Sequence, residues 1–257
     1  MRKLSLVFAH PDDDTFGVAG SILEQGDELE LQVILATSGE AGMIADPSLA
    51  TRENLGSVRE AESRASYRAL GVEPELHFLR YADGGLPQVD REEIVGKVTE
   101  LLGAFRPDVV VTFGPEGVTK HDDHVTMHHV ATEAFHRARE RAEGGFERLY
   151  YVAIPATRIE EFRELQRMAG MEPFNPEDPF QPRGVPDETI SAVVDCGDRW
   201  TVKHEALLAH RTQAEEIDSI PESARPLVFG LEHFVQAWPA RDPGAPVLSD
   251  LFEGLAE

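Results

Sequence analysis

The chain has 257 residues and a formal net charge of -23 at pH 7, from 47 acidic and 24 basic side chains. Nucleic acids and anionic membranes bind basic surfaces, so this charge argues against either partner. Its single cysteine, Cys196, excludes an internal disulfide, and no apolar run is long enough to span a bilayer. We therefore expect a cytoplasmic protein.

Strands and helices alternate along the first part of the chain. Short runs rich in Val, Ile and Leu predict buried strands, and charged residues spaced one turn apart predict helices. In chain order we predict a strand over 4–9, a helix over 17–25, a strand over 29–36, a helix over 52–70, a strand over 75–79, a helix over 90–105, a strand over 108–113, a helix ending near 142 and a strand over 148–154. This alternation is typical of an α/β fold, Rossmann-like and doubly wound, with a mainly parallel sheet and helices on both faces.

The last third of the chain is less regular. Prolines are dense from 167 to 187, which predicts a long loop near the functional site rather than a linker between domains. A strand over 189–194, a helix over 199–216 and a helix over 227–238 follow, and the tail from 239 is expected to be irregular. We expect one domain over residues 1–257.

An acidic cluster follows the first predicted strand. It contains His10 and three consecutive carboxylates, Asp12, Asp13 and Asp14. In open α/β sheets, ligands bind beyond the carboxyl ends of the strands. Adjacent carboxylates repel one another, so a cation is expected to neutralise them, although a solvated acidic turn is the simpler alternative.

A second cluster, 121–124, follows the predicted strand over 108–113 and contains His121, Asp123 and His124. The fold would bring both clusters to the same edge of the sheet. One imidazole and one carboxylate from the first cluster and one imidazole from the second give three ligands, which leaves a position for water on a catalytic zinc. A nearby carboxylate that is not a ligand can take a proton from that water.

The order His10-Pro11-Asp12-Asp13 and then His121-Asp122-Asp123-His124 resembles the two signatures of the LmbE/PIG-L family of zinc-dependent N-acetylglucosaminyl deacetylases. Asp14 stands where Glu is usual, and Asp122 where Pro is usual. Further matching residues are Gly39, Glu40, Arg59, Glu60, Leu70, Gly71, Asp83, Gly84, Lys203, His210, Thr212 and Gln213.

The resemblance implies that His10, Asp13 and His124 hold the metal, which is zinc or ferrous iron. It implies that Asp12 is the general base, and that His121, oriented by Asp123, stabilises the oxyanion and protonates the leaving amine. The implied substrate contacts are Glu40, Arg59, Asp83 and His210. An amide needs this combination, because its carbonyl must be polarised and its nitrogen protonated before it leaves.

The expected reaction is hydrolysis of the N-acyl group, most simply an acetyl group, of a small amino-sugar derivative. We expect the loops over 43–50 and 167–187 to determine which substrate is accepted. Nothing in the sequence fixes the oligomeric state, and a homo-oligomer is compatible with it.

Two other functions compete with this interpretation. Asp12, Asp14 and Thr15 fit the nucleophile pattern of a haloacid-dehalogenase-type phosphatase with magnesium, but that enzyme would leave the three clustered histidines unexplained. A sugar-binding module that has lost turnover would need neither Asp12 nor His121. A non-haem iron oxygenase could use two His and a carboxylate, but it normally has a jelly-roll fold.

Overall fold

The computed structural model describes residues 1–44, 46–242 and 244–255. Residues 45, 243, 256 and 257, which belong to the loop and tail predicted above, lie outside the described residues. The strands in the described part are β1 (Arg2–Phe8), β2 (Leu29–Thr37), β3 (Glu75–Tyr81), β4 (Val109–Phe113), β5 (Arg148–Ala153), β6 (Ala192–Asp195) and β7 (Leu231–Trp238). They form one sheet in the order β3-β2-β1-β4-β5-β7-β6.

The sheet is mainly parallel, as predicted. Strands β1 to β5 pair in parallel, and β7 runs antiparallel between β5 and β6. Leu6 on β1 is paired with Val33 on β2 and with Val111 on β4, and all three side chains are fully buried. Burying one such side chain contributes about 1.5–3 kcal/mol, so these central strands anchor the core.

Helices cover both faces of the sheet. They are α1 (Asp13–Gln25), α2 (Leu55–Ala69), α3 (Arg91–Phe105), α4 (Gly117–Lys120), α5 (Asp122–Arg141), α6 (Ala156–Met168), α7 (Trp200–Leu208), α8 (Ala214–Asp218) and α9 (Arg225–Phe229). Helices α1 and α2 pack on α7, and α3 packs on α5. Right-handed crossovers from β1 through β2 to β3 place α1 and α2 on one face, and the return to β4 places α3 and α5 on the other. Successive strands are added on one side of β1 up to β3 and then on the other side from β4, so the strand order reverses between β1 and β4.

Two predicted helices differ from the observed ones. The helix expected over 17–25 begins at Asp13, because acidic side chains are favourable in the first turn at the positive end of the helix dipole. The helix expected over 199–216 is interrupted after α7, where His210 has φ -78° and ψ 62°, outside the helical region. No helix in the described part of the chain is both long and apolar enough to cross a bilayer.

The predicted helix over 227–238 is wrong. Only the short α9 is helical there, and the chain then enters β7. Along β7 the alternate residues Glu232 and Phe234 are buried, which is the two-residue period of a strand. A buried glutamate conceals that period, because a charged residue normally marks the solvent side.

A buried ion pair explains the position of Glu232. Lys203 Nζ on α7 donates to Glu232 Oε1 at 2.6 Å, and the two residues are 2% and 3% exposed. The same carboxylate accepts hydrogen bonds from the main-chain N–H groups of Gly20 and Ser21 at 2.7 and 2.8 Å. The pair therefore links α1, α7 and β7.

Lys203→Met is expected to lower the free energy of unfolding by about 3–5 kcal/mol, because Glu232 would be left buried without its counter-charge. Urea unfolding would measure the loss. The matched control is Lys97→Met, which breaks the exposed pair with Glu93 at 2.9 Å and is expected to cost less than about 1 kcal/mol. Equal costs for the two variants would contradict the argument.

Candidate active site

The two His-containing clusters lie at the reversal point of the sheet. His10 follows β1, and His121 and His124 follow β4, the neighbouring strand. The ring centroids of His10 and His121 are 4.8 Å apart, and those of His121 and His124 are 5.0 Å apart. The fold thus brings the two clusters together, at the position where open α/β sheets bind their ligands.

Three donor groups converge here. His10 Nδ1 lies 3.1 Å from His124 Nε2, and each nitrogen faces a different oxygen of the Asp13 carboxylate: Oδ2 lies 3.4 Å from His10 Nδ1, and Oδ1 lies 3.3 Å from His124 Nε2. Zinc bonds of about 2.0–2.1 Å in a tetrahedral arrangement place two ligand atoms about 3.3 Å apart. The separation of the two nitrogens, and of each nitrogen from one Asp13 oxygen, is close to that distance.

Hydrogen bonds on the far side of each ring indicate which nitrogen carries the lone pair. His124 Nδ1 lies 2.9 Å from the carbonyl oxygen of Gly117, and His10 Nε2 lies 3.0 Å from Asp83 Oδ1. When these outer nitrogens carry the hydrogen of each neutral ring, the lone pairs of His10 Nδ1 and His124 Nε2 point toward each other. Two lone pairs and a carboxylate repel one another unless a cation lies between them, so the donor set fits a metal ion.

The pKa values agree with this geometry. Burial lowers the pKa of His10, but hydrogen bonds to Asp123, Asp13 and Asp83 outweigh burial and raise it well above 6.5. Burial raises the pKa of Asp13, yet the neighbouring His124 and His10 bring it well below 3.8. Burial lowers the pKa of His124. The carboxylates around His10 thus favour a positive charge at this position.

Other combinations of donors are also close. Among the described residues, donor atoms of His10, His121 and His124 lie within 4.8 Å of one another, and so do those of His10, Asp83 and Asp123. Both combinations include His10, which therefore stands at the centre of the possible His/carboxylate metal site.

Arg59 fixes the position of the Asp12 side chain. The Asp12 carboxylate accepts a hydrogen bond of 2.9 Å from Arg59 Nη2, and the backbone of Asp12 has φ 113°. The guanidinium also donates to the carbonyl oxygens of Pro11 and Gly39 at 2.7 and 2.9 Å. Burial raises the pKa of Asp12, and Arg59 opposes that rise. Arg59 is only 4% exposed.

His121 caps α5 and is oriented through the main chain. The N–H of Asp123 donates to His121 Nδ1 at 3.2 Å, so the neutral ring carries its hydrogen on Nε2. The Asp123 carboxylate, which was expected to orient His121, instead accepts from the N–H groups of Gly84 and Leu86 at 2.7 and 3.0 Å. It also lies 3.4 Å from His10 Nε2.

Glu40 and Asp83 join two loops beside the site. Asp83 Oδ2 accepts from the N–H of Ala41, and Glu40 Oε1 accepts from the N–H of Asp83, both at 2.9 Å. His210 is fully buried, within electrostatic range of Arg59 and Asp13. Burial lowers its pKa to about 3, and neither ring nitrogen has a hydrogen-bond partner in the described part of the chain.

Asp14 contacts α2 and the main chain of its own cluster, where its Oδ1 accepts from the N–H of Asp12 at 3.3 Å. It is fully buried and accepts a hydrogen bond from the Tyr67 hydroxyl on α2. Burial raises the pKa of Asp14 to about 6. The three consecutive carboxylates therefore have three different environments.

Two aromatic neighbours of the site were not expected from the sequence. The ring of Phe113 stacks on His124 with centroids 4.1 Å apart, and Phe180 lies 5.3 Å from His121. Phe113 ends β4, and its place beside the second cluster was a usable signal. Phe180 lies in the proline-rich segment, where the sequence gives no periodic pattern to locate it.

Comparison with known proteins identifies relatives for the whole chain. The PIG-L family, GlcNAc-PI de-N-acetylase, matches residues 5–135. The 1D-myo-inositol 2-acetamido-2-deoxy-alpha-D-glucopyranoside deacetylase of Salinispora arenicola is 31% identical over 99% of this chain and 92% of its own length. The enzyme of that name from Mycobacteroides abscessus is 32% identical over 99% of this chain and 98% of its own length.

A solved structure has the same fold. The N,N'-diacetylchitobiose deacetylase of Pyrococcus horikoshii superposes with a TM-score of 0.63 at 24% identity, over 91% of this chain and 83% of the other. The family resemblance inferred from the two His clusters is thus confirmed. With a family match over half the chain and relatives over its whole length, the chain belongs to the PIG-L (LmbE-like) family of de-N-acetylases.

Proposed function

We propose that the protein is a zinc-dependent deacetylase that hydrolyses the N-acetyl amide of an amino-sugar derivative. The observation that carries the proposal is the convergence of donors from His10, Asp13 and His124, with Asp12 and His121 beside them. Relatives that cover almost the whole chain are named as deacetylases of an N-acetylated glucosaminyl inositol, which supports the same bond as the target here.

His10, Asp13 and His124 would hold the metal. Asp13 is preferred to His121 as the third ligand, because its charged carboxylate faces both nitrogens and His121 Nδ1 already accepts a hydrogen bond. Two His and one carboxylate suit zinc and also ferrous iron. The bound ion would polarise the amide carbonyl and lower the pKa of a water molecule toward neutrality.

Asp12 would accept the proton from the attacking water. Burial raises the pKa of its carboxyl group and brings it closer to that of a base useful near neutral pH. Arg59 fixes the carboxylate through one hydrogen bond and is itself fixed by two carbonyl oxygens. We therefore assign Arg59 to positioning Asp12, in addition to the substrate contact that the family resemblance implies.

His121 would stabilise the oxyanion and then protonate the leaving amine. Its Nδ1 is occupied by the N–H of Asp123, which leaves Nε2–H as the donor. Glu40 and Asp83 remain candidates for contacts with the sugar hydroxyls. His210, the other substrate contact that the family resemblance implies, is fully buried and has no exposed atom to offer a sugar in this structure. Asp83 has a further task, because it accepts the outer hydrogen of His10 and so sets the orientation of that ring.

Gly39→Ala is expected to lower turnover by displacing Arg59. A Cβ at Gly39 would lie 2.1 Å from Arg59 Nη1, and the backbone there has φ +67°. The guanidinium must move, and Asp12 then loses its hydrogen bond. Steady-state deacetylation kinetics and urea unfolding would measure the two effects separately.

Gly71→Ala is the matched control. Gly71 has φ +76°, and a Cβ there meets no atom within 4 Å. Both variants are expected to lose about 1–2 kcal/mol of stability from the left-handed backbone. Only Gly39→Ala should lose turnover, and equal turnover in the two variants would contradict the role assigned to Arg59.

We further propose that this is one domain acting on a small molecule in the cytoplasm. The one cysteine, Cys196, is buried and free, which suits a reducing compartment. Homo-oligomerisation stays a prediction, and light scattering of the purified protein would test it.

Elemental analysis combined with an amine-release assay would test the function. We expect about one zinc or iron per chain and chelator-sensitive release of amine from N-acetylglucosamine derivatives. Magnesium alone, with phosphate released from a phosphate ester, would contradict the proposal in favour of the phosphatase. Bound metal and bound sugar without turnover would instead indicate a binding module.

A further inference from the structure

Phe180 is an exposed aromatic side chain beside the active site. It is 66% exposed, and its ring centroid lies 5.3 Å from that of His121 at an angle of 46°. Single exposed apolar side chains are common on protein surfaces, so the exposure alone indicates nothing. Its place against a histidine of the site is the informative observation.

The main chain holds the segment that carries Phe180 against the site. The N–H of Arg183 donates to the carbonyl oxygen of Val118 in α4 at 2.8 Å. Val185 exchanges hydrogen bonds with the start of α6, donating to Ile154 at 2.8 Å and accepting from Ala156 at 2.9 Å. Phe180 is three residues from the first of these ties, so its ring is presented by an anchored piece of chain.

The backbone at Phe180 is strained. Its φ is +62°, in the left-handed region that glycine adopts freely. For a residue with a Cβ, this left-handed conformation costs about 1–2 kcal/mol of conformational free energy. Bulky side chains in such positions cluster at binding and catalytic sites, because the strain persists only where the surroundings hold it. Phe146 and Arg106 also have positive φ, at 56° and 51°, so the strain supports the inference only together with the contact between Phe180 and His121.

The position of Phe180 relative to the scissile bond follows from the role of His121. In the proposed function, His121 protonates the amine nitrogen, which stays attached to the sugar, while the acyl carbon departs with the attacking water. His121 also serves the oxyanion on the acyl carbon, but of the two sides only the amine side carries a ring that Phe180 could cover. Pyranose rings present a face of C–H groups, and an aromatic ring covers such a face while losing contact with water.

We propose that Phe180 is a specificity-determining residue that packs against the sugar ring on the amine side of the scissile amide. This inference rests on the proposed function. It places a substrate contact in the proline-rich segment and selects N-acylated amines that carry a ring over acyclic ones.

Binding of the two products to the full-length, zinc-loaded protein would test the inference. Glucosamine represents the amine side and acetate the acyl side, and NMR titration measures both dissociation constants without turnover. Phe180→Ala is expected to raise the Kd of glucosamine roughly three- to tenfold and to leave that of acetate unchanged. Phe180→Trp should restore glucosamine binding, because it keeps an aromatic face.

Met168→Ala is the matched control, since it removes an exposed apolar side chain at the end of α6, 76% exposed, and should leave both dissociation constants unchanged. In kinetics on an N-acetylglucosaminide, Phe180→Ala should raise KM more than it lowers kcat. An unchanged glucosamine Kd, or a change in the acetate Kd alone, would overturn the inference and leave the proposed function standing. A wild-type protein that releases no amine from any N-acetylated sugar would overturn both.

Discussion

Asp12→Asn is expected to lower kcat by roughly 10²–10⁴-fold while zinc remains bound. The amide has the shape of the carboxylate and can still accept the hydrogen bond from Arg59, but it cannot take a proton from water. The metal-binding donors of His10, Asp13 and His124 are unchanged. Amine release measures the loss of turnover, and elemental analysis of the same sample measures the zinc.

Asp14→Asn provides the matched control for that experiment. Asp14 is the third member of the same acidic cluster, but its carboxylate accepts hydrogen bonds from the Tyr67 hydroxyl on α2 and, at 3.3 Å, from the N–H of Asp12. In asparagine, the side-chain oxygen can keep the bond from Asp12 while the amide N–H donates to the Tyr67 hydroxyl oxygen, so most of the turnover should be retained. Near wild-type turnover in Asp12→Asn would mean that another group is the base.

His10→Ala is expected to abolish both zinc binding and turnover. His10 contributes one of the three donor groups, and its loss leaves Asp13 and His124 as the remaining pair. It also removes the partner of the Asp83 carboxylate. Zinc affinity, measured by competition with a chromophoric chelator, gives the result independently of turnover.

Asp83→Asn gives a graded comparison on the same metal site. It keeps every proposed ligand, but its single side-chain oxygen cannot accept from both His10 Nε2 and the N–H of Ala41. The hydrogen bond that orients His10 is therefore weakened, and zinc affinity should fall by about 10–100-fold. The loss in His10→Ala should be larger. One zinc per chain retained by His10→Ala would refute the assignment of that residue as a ligand.

Sequence patterns were most informative where local physics determines the structure. The runs that form β1, β2 and β4 are buried on both faces, so their continuous apolar character was sufficient to identify them. The strand β7 was mistaken for a helix because Glu232 is buried. Its charge is neutralised by Lys203, which lies 29 residues earlier in the chain. The order of polar and apolar residues around Glu232 cannot reveal a contact at that distance in sequence.

The same distinction applies to the site. Both His clusters directly follow strands that flank the reversal of the sheet, so their meeting could be predicted from chain order alone. The environment of the Asp123 carboxylate could not, since its partners are main-chain N–H groups of the turn after β3. Phe180 is held near His121 by main-chain hydrogen bonds at residues 183 and 185. Because any residue type can form such bonds, the sequence could not predict them.

Those ties have a consequence for how such an enzyme can diversify. The proposed metal ligands, base and acid all lie within residues 10–124, in the turns and first helical turns that follow β1 and β4. Residues 169–182 form an insert between α6 and three main-chain hydrogen bonds, at residues 183 and 185, that almost any sequence can supply. Substitutions, insertions or recombination in this insert can reshape the substrate entrance while the metal-binding atoms keep their spacing. Grafting the corresponding insert from a relative should transfer that relative's substrate preference.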